Sequence, residues 1–133
     1  RAVALDGSGT TTVELPVDLQ GNNVVIEAVA RGVRSAVVHY AHDLSVELAS
    51  AYGQVRVLRA STRRPASAAY VKAYARNHDG SVTFFKDGYT DVGGRFDYAT
   101  LSTDGLTRVE RFALLVVSDE AGATVLEAGP PAR

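Results

Sequence analysis

The sequence predicts an all-β protein, an antiparallel β-sandwich preceded by an additional N-terminal β element. Three observations carry this expectation. Apolar residues alternate with polar ones at period two through most of the chain. Glycine, proline and aspartate separate these stretches at short intervals, as they do between antiparallel strands. No stretch requires a helix, and no internal repeat is evident.

Residues 1–12, small and polar ("DGSGTTT"), read as a linker or frayed terminus. In "VELPVDL", Val13, Leu15 and Val17 share one face against Glu14 and Asp18, and Pro16 suggests an edge or strand end. In "NNVVIEAVAR", Val24, Ile26, Ala28 and Ala30 alternate with Val25, Glu27, Val29 and Arg31, and Gly32 turns the chain. Residues 35–52 admit two readings. Val37, Tyr40, Ala41, Leu44, Leu48 and Ala51 fall at helical spacing with Gly53 as a C-cap, yet a helix would leave Val38 and Val46 on its wet side. Two strands, one through Val38 and Tyr40 and one through Leu44, Val46 and Leu48, are the preferred reading.

After Gly53 the alternation sharpens. "QVRVLRA" turns Val55 and Val57 inward, and "AYVKAYARN" sets Val71, Ala73 and Ala75 against Tyr70, Lys72, Tyr74 and Arg76. Asp79-Gly80 is a hairpin signal, because a tight hairpin turn needs positive φ, and "SVTFFK" returns. A strand starts near Arg95 and carries Phe96 and Tyr98. "RVERFALLVVSD" is apolar on both faces from Phe112 to Val117, as a strand in the middle of a sheet should be. "ATVLEA" closes the fold. The expected division is a linker at 1–12, a β element packed on the sandwich at 13–52, the sandwich at 53–128 and a tail at 129–133.

Fourteen basic and fifteen acidic residues nearly cancel, which gives no electrostatic case for nucleic acid or an anionic membrane surface. No apolar run approaches the length of a bilayer span, and no signal peptide is recognisable. The start at Arg1 without methionine suggests a piece of a longer protein. Zero cysteines exclude disulfides, thiolate metal sites and a cysteine nucleophile.

Gly53-Gln54-Val55-Arg56-Val57, Arg64-Pro65, Ala69-Tyr70-Val71 and Thr90-Asp91-Val92-Gly93-Gly94-Arg95-Phe96 together resemble the carboxypeptidase regulatory-like domain. Arg64 stands where that family's turn carries Gly, and Ala66 where it carries Leu. The resemblance implies a transthyretin-like sandwich, an Ig-like Greek-key arrangement, with structural rather than catalytic motifs. "FFKDGYTDVGGRFDY" is also similar to the C-terminal module of long, uncharacterised exported bacterial proteins. Enzymes on transthyretin-like sandwiches end in Tyr-Arg-Gly-Ser or hold iron through Tyr…His-x-His. This chain ends Gly-Pro-Pro-Ala-Arg, and its "HYAH" does not fit.

The stretch "KDGYTDVGGRFDY", residues 86–98, reads as a structural corner built by Asp87, Gly88, Thr90, Asp91, Gly94 and Phe96. Asp87-Gly88 is expected to turn with positive φ at Gly88, and the Asp91 carboxylate to accept nearby amides. Asp87, Asp91 and Asp97, with Asp79 in reserve, are calcium candidates, but the dense acidic alternation of a calcium loop is missing. His39 and His42 would share a face only on a helix and could then bind zinc with a third ligand, while His78 precedes a hairpin turn. The stripe Tyr70, Lys72, Tyr74 and Arg76 is a candidate ligand or partner surface, against the plainer reading that the rings pack on the N-terminal element.

The expectation is therefore a non-catalytic structural or interaction module without a cofactor. It would be the C-terminal accessory domain of a larger exported bacterial protein and lie extracytoplasmically. Its partners would be neighbouring domains, another protein or a glycan, with no nucleic acid and no membrane insertion. A carbohydrate- or peptide-binding adhesive module is the alternative, and a small transthyretin-like hydrolase or metal-dependent enzyme domain the second.

Overall fold

The alternation resolves into nine strands in a computed structural model that describes residues 1–131. The last two residues of the expected tail, Ala132 and Arg133, lie outside the described residues. The chain forms two compact units, 1–41 and 42–133.

The first unit holds a single α-helical turn, α1 (Val17–Gln20), and a hairpin of β1 (Val24–Ala30) and β2 (Val33–His39). The strand expected across Val13–Val17 is not formed. Pro16 supplies φ −51 at the N-cap, and the Gln20 and Asn22 side-chain amides donate to the carbonyls of Leu15 and Asp18, which closes a helical turn instead. Arg31 and Gly32, both with positive φ (50 and 78), make the two-residue turn joining β1 to β2.

The second unit is an Ig-like sandwich. One sheet orders β3 (Leu44–Ala49), β4 (Gln54–Arg59) and β7 (Arg95–Asp97) as β3-β4-β7. The other orders β5 (Tyr70–Asn77), β6 (Val82–Tyr89), β8 (Val109–Ser118) and β9 (Gly122–Ala128) as β6-β5-β8-β9. All pairings are antiparallel, and the chain crosses between sheets after β4, after β6 and after β7. First, second and fifth strands against third, fourth, sixth and seventh is the Ig pattern with its fourth strand moved to the opposite sheet.

Residues 35–52 form the end of β2 and the whole of β3 rather than a helix, with an irregular link at 40–43 that leaves Tyr40 outside the strand expected to hold it, and a single 3-10 turn at Ser50–Tyr52. Leu44–Ala49, however, belongs to the sandwich and not to the N-terminal element. Its Leu44 is buried in the core, and its backbone pairs with Gln54–Arg59 through the whole of β4. The boundary between units accordingly falls after Ala41, not after Tyr52.

The core between the sheets is built from the inward positions of the alternating strands. Val55 and Val57 from β4 meet Val71 and Ala73 from β5 and Phe112, Leu114 and Val116 from β8, all fully buried. Phe85 and Tyr98 stack edge-on against Phe112 at 4.9 and 5.3 Å between ring centroids. The Tyr98 hydroxyl donates to the Gly129 carbonyl at 2.8 Å, and Pro131 is buried, so residues 129–131 are part of the packed body and not a free tail.

Candidate interaction surface

Each sheet of the sandwich turns its second face outward, and the two outer faces differ in chemistry. On the β3-β4-β7 sheet the outward row is polar and paired. Glu47 bridges Arg63 at 2.9 Å and Arg56 at 3.8 Å, and Gln54 donates to Asp97 at 2.7 Å. On the β6-β5-β8-β9 sheet the outward positions are largely aromatic and aliphatic.

The register places them. Tyr70 lies between Tyr89 of β6 and Val117 of β8, and Lys72 between Asp87 and Leu115. Tyr74 lies between Phe84 and Ala113, and Arg76 between Val82 and Arg111. Val125 of β9 continues the row through Leu115. The two rows of rings on β5 and β6 form tilted pairs. Tyr70 and Tyr89 are 5.5 Å apart, and Tyr74 meets Phe84 edge-on at 6.3 Å. Phe84 and Tyr89 are 55% and 67% exposed, well above what a ring in a packed interior shows.

Polar contacts hold this face in one arrangement. The Tyr70 hydroxyl donates to Asp87 Oδ2 at 2.7 Å, and that bond, first, with partial desolvation raises the phenol's pKa above its ordinary value. The Lys72 ammonium sits 5.2 Å from the Tyr74 ring centroid and 5.5 Å from that of Phe84, a cation between two π faces. The Tyr74 hydroxyl beside it, first among its neighbours, raises its pKa above the ordinary lysine value. Arg111 is drawn to Glu127 at 3.2 Å and to Glu110 at 3.3 Å, which strengthens its hold on its proton, and Glu110 also lies 3.6 Å from Arg76.

The sequence pattern identified Tyr70, Lys72, Tyr74 and Arg76 as one stripe. It missed Val82, Phe84, Tyr89, Leu115 and Val125, which complete the surface. Period two along Val82, Phe84 hinted at an outward face, but a bulge opposite Ala73 and Tyr74 sets which residues of β6 look out, and that depends on strand pairing.

The corner after Lys86 differs from its expected geometry at one point. Asp87 and Gly88 do not turn. They are residues of β6, and Gly88 pairs with Val71 without positive φ. Glycine is needed there because a Cβ would stand 2.7 Å from the Phe96 ring. The turn is made at 91–94, where Asp91 Oδ1 accepts the amides of Gly93 and Arg95 at 2.9 and 2.8 Å. Gly94 has φ +75, and a Cβ on it would run into the Val57 carbonyl. Thr90 is buried and latches the corner to the preceding crossover. Its hydroxyl donates to the Ala66 carbonyl at 2.6 Å and accepts the Ala69 amide at 2.9 Å.

The calcium candidates are spread among separate protein donors: Asp87 on Tyr70, Asp91 on backbone amides, Asp97 on Gln54 and Asp79 on Ser81. Among the described residues, no three His, Asp or Glu side chains are grouped so as to hold a metal ion. The helical face that would unite His39 and His42 does not exist. His39 ends β2, and His42 Nδ1 accepts the Leu44 amide at 3.0 Å. His78 lines an open cleft of about 360 Å³ with Asn77, Asp79, Ser81 and Arg108.

Comparison with known proteins gives these surfaces a family context. Actin-binding protein F of Dictyostelium discoideum is 40% identical over 126 residues, which are 95% of this chain and 5% of that protein. The chain thus spans about a twentieth of the length of the curated relative it matches. No solved structure matches. The expectation of an exported, extracytoplasmic bacterial module is overturned by this relative, which is named for binding actin, a protein of the cytoplasm. The profile of the AbpF C-terminal domain matches residues 43–133, almost the whole Ig-like sandwich, and the chain belongs to that family.

Proposed function

We propose that this chain is a non-catalytic interaction module of a longer cytoskeletal protein and that the outer face of the β6-β5-β8-β9 sheet is its contact surface for a protein partner. One observation carries the reading. Of the two outer faces of the sandwich, one is polar and ion-paired, and the other, beside an ion-paired cluster of Arg76, Glu110, Arg111 and Glu127 at one end, presents Tyr70, Tyr74, Phe84, Tyr89, Leu115 and Val125 side by side. An aromatic patch already ordered by the Tyr70–Asp87 bond loses little side-chain entropy on binding, the property that makes Tyr and Phe effective anchors. The corner carboxylates and the Thr90 hydroxyl are engaged with backbone and neighbouring side chains, which supports a structural role there rather than chemistry. The Thr-Asp…Gly-x-Phe likeness to the carboxypeptidase regulatory-like domain is then a shared way of bending backbone between sheets.

Actin filaments are the first partner to test, on the strength of the relative's name. The assay is co-sedimentation of the chain with filamentous actin. Tyr74→Ser and Phe84→Ser should each weaken binding by about 30-fold, the loss expected for a central aromatic anchor. Glu47→Gln, on the opposite sheet, should bind as the wild type does. Undiminished binding of both face variants would refute the assignment. A glycan is the weaker occupant, because the rings are tilted into pairs and do not offer a flat stacking platform.

A further inference from the structure

The hairpin β1–β2 carries an apolar face of its own that the sandwich's interaction surface does not explain. Its register puts Val24, Ile26, Ala28 and Ala30 on one side together with Val33, Ser35, Val37 and, at its end, His39. The opposite side carries the Glu27–Arg34 ion pair at 3.4 Å between the exposed Val25, Val29 and Val38. Ile26, Val37 and Val33 on the apolar side are 40%, 61% and 70% exposed. An isolated two-stranded hairpin is at best marginally stable in water, so this one is incomplete as it stands.

The second unit shows what completes such a hairpin. There the chain runs through a single helical turn at Leu106–Arg108, then β8, a short turn and β9. The first unit repeats that order as α1, β1, a two-residue turn and β2. The chemistry of the faces repeats as well. The β8–β9 pair has one side bearing Phe112, Leu114 and Leu126 and an opposite side with the Arg111–Glu127 ion pair. In β8 the apolar side is fully buried, because the free edge of β8 pairs with β5 and the other sheet covers its face.

We propose that β1 and β2 are the closing hairpin of a second Ig-like sandwich, whose remaining strands are supplied by a preceding segment of the same polypeptide. The relative supports that source. Its 40% identity extends over 95% of this chain and therefore well into the hairpin unit, beyond the family domain that starts at residue 43, and the match occupies only 5% of its length. A relative that retains the hairpin thus has ample chain elsewhere to complete it. The module proposed above is then one of at least two consecutive sandwiches in the parent polypeptide. This inference does not depend on which partner the β6-β5-β8-β9 face binds.

Amide hydrogen exchange tests it, comparing this 133-residue chain with the parent polypeptide extended toward its N-terminus by about 100 residues, one Ig-like domain. Amides of Val24–Ala30 and Val33–His39 should exchange at least about 100-fold more slowly in the extended chain, while those of β5 and β8 remain unchanged. In the extended chain Ile26→Asp and Val37→Asp should remove that protection, and Val29→Thr on the opposite side should not. Equal exchange of the hairpin in the two chains, whether fast or slow, would overturn the proposal. So would protection of the short chain that grows with concentration alongside a dimer in sedimentation, which would make a second copy the occupant.

Discussion

Replacing Thr90 by valine is nearly isosteric and removes only the hydroxyl. That hydroxyl donates to Ala66 O at 2.6 Å and accepts from Ala69 N at 2.9 Å, and Thr90, Ala66 and Ala69 are all buried. The remaining bonds of the latch, Thr90 N to Ala69 O at 2.9 Å and Ala68 N to Thr90 O at 3.0 Å, are main-chain and survive the substitution. Valine therefore leaves one carbonyl and one amide buried without the partners they have now. Each such group costs about 1–3 kcal/mol, and because some relaxation is available at a loop, the expected total is about 2–4 kcal/mol. For a unit of this size that is a fall in Tm of more than about 8 °C. Urea denaturation followed by tyrosine fluorescence is suitable, since Tyr98 is buried in the core and there is no tryptophan. The transition midpoint should move with an unchanged slope, and Thr90→Ser should restore most of the loss. A change below about 0.5 kcal/mol for Thr90→Val would refute the view that this hydroxyl ties the corner to the crossover.

Gly94→Ala should destabilise by more than about 2 kcal/mol in the same assay, because the positive φ disfavours any side chain and the Val57 carbonyl occupies the Cβ position. Gly88→Ala should cost less, since the atom it meets belongs to the Phe96 ring, which can shift. Tyr98→Phe loses the bond to Gly129 O and should cost about 1 kcal/mol. Burial also raises the Tyr98 phenol's pKa, so its contribution is complete below the ordinary tyrosine value and is lost as pH rises through the raised one. Alkaline unfolding of the wild type should set in above about pH 10, within reach of a pH-resolved melt. On the acid side, Asp43 and Asp79 are lowered below the ordinary carboxylate value, first by the hydroxyls of Ser61 and Ser81. Their contribution is present above the unfolded value and is lost as pH falls through the folded one. Stability should therefore drop below about pH 4, and Asp43→Asn should flatten that drop.

The legible parts of the fold were those that one strand decides for itself. The period-two reading of β5 put Val71, Ala73 and Ala75 inside and Tyr70 to Arg76 outside without any knowledge of neighbours, and β8 declared its central position by bulk on both faces. Pairing was not legible. Leu44–Ala49 looks like its predecessors in the chain, and only its ladder with β4 assigns it to the sandwich. Gly88 follows an aspartate and so imitates a turn, but it was selected by an aromatic ring eight residues later. Half of the candidate surface was visible as the β5 stripe. The other half, on β6, β8 and β9, needed the register, including the bulge in β6.

The central claim is that the aromatic face of the four-stranded sheet, and not the corner or the opposite face, is where this module meets its partner. Residue-resolved hydroxyl-radical footprinting with and without the proposed partner tests that directly. Phe84, Tyr89, Tyr74 and Tyr70 should lose most of their modification on binding, while exposed Tyr52 and Val92 away from that face stay unchanged. Protection of Tyr52 or Val92 with Phe84 and Tyr89 still modified at their free rates would contradict the account.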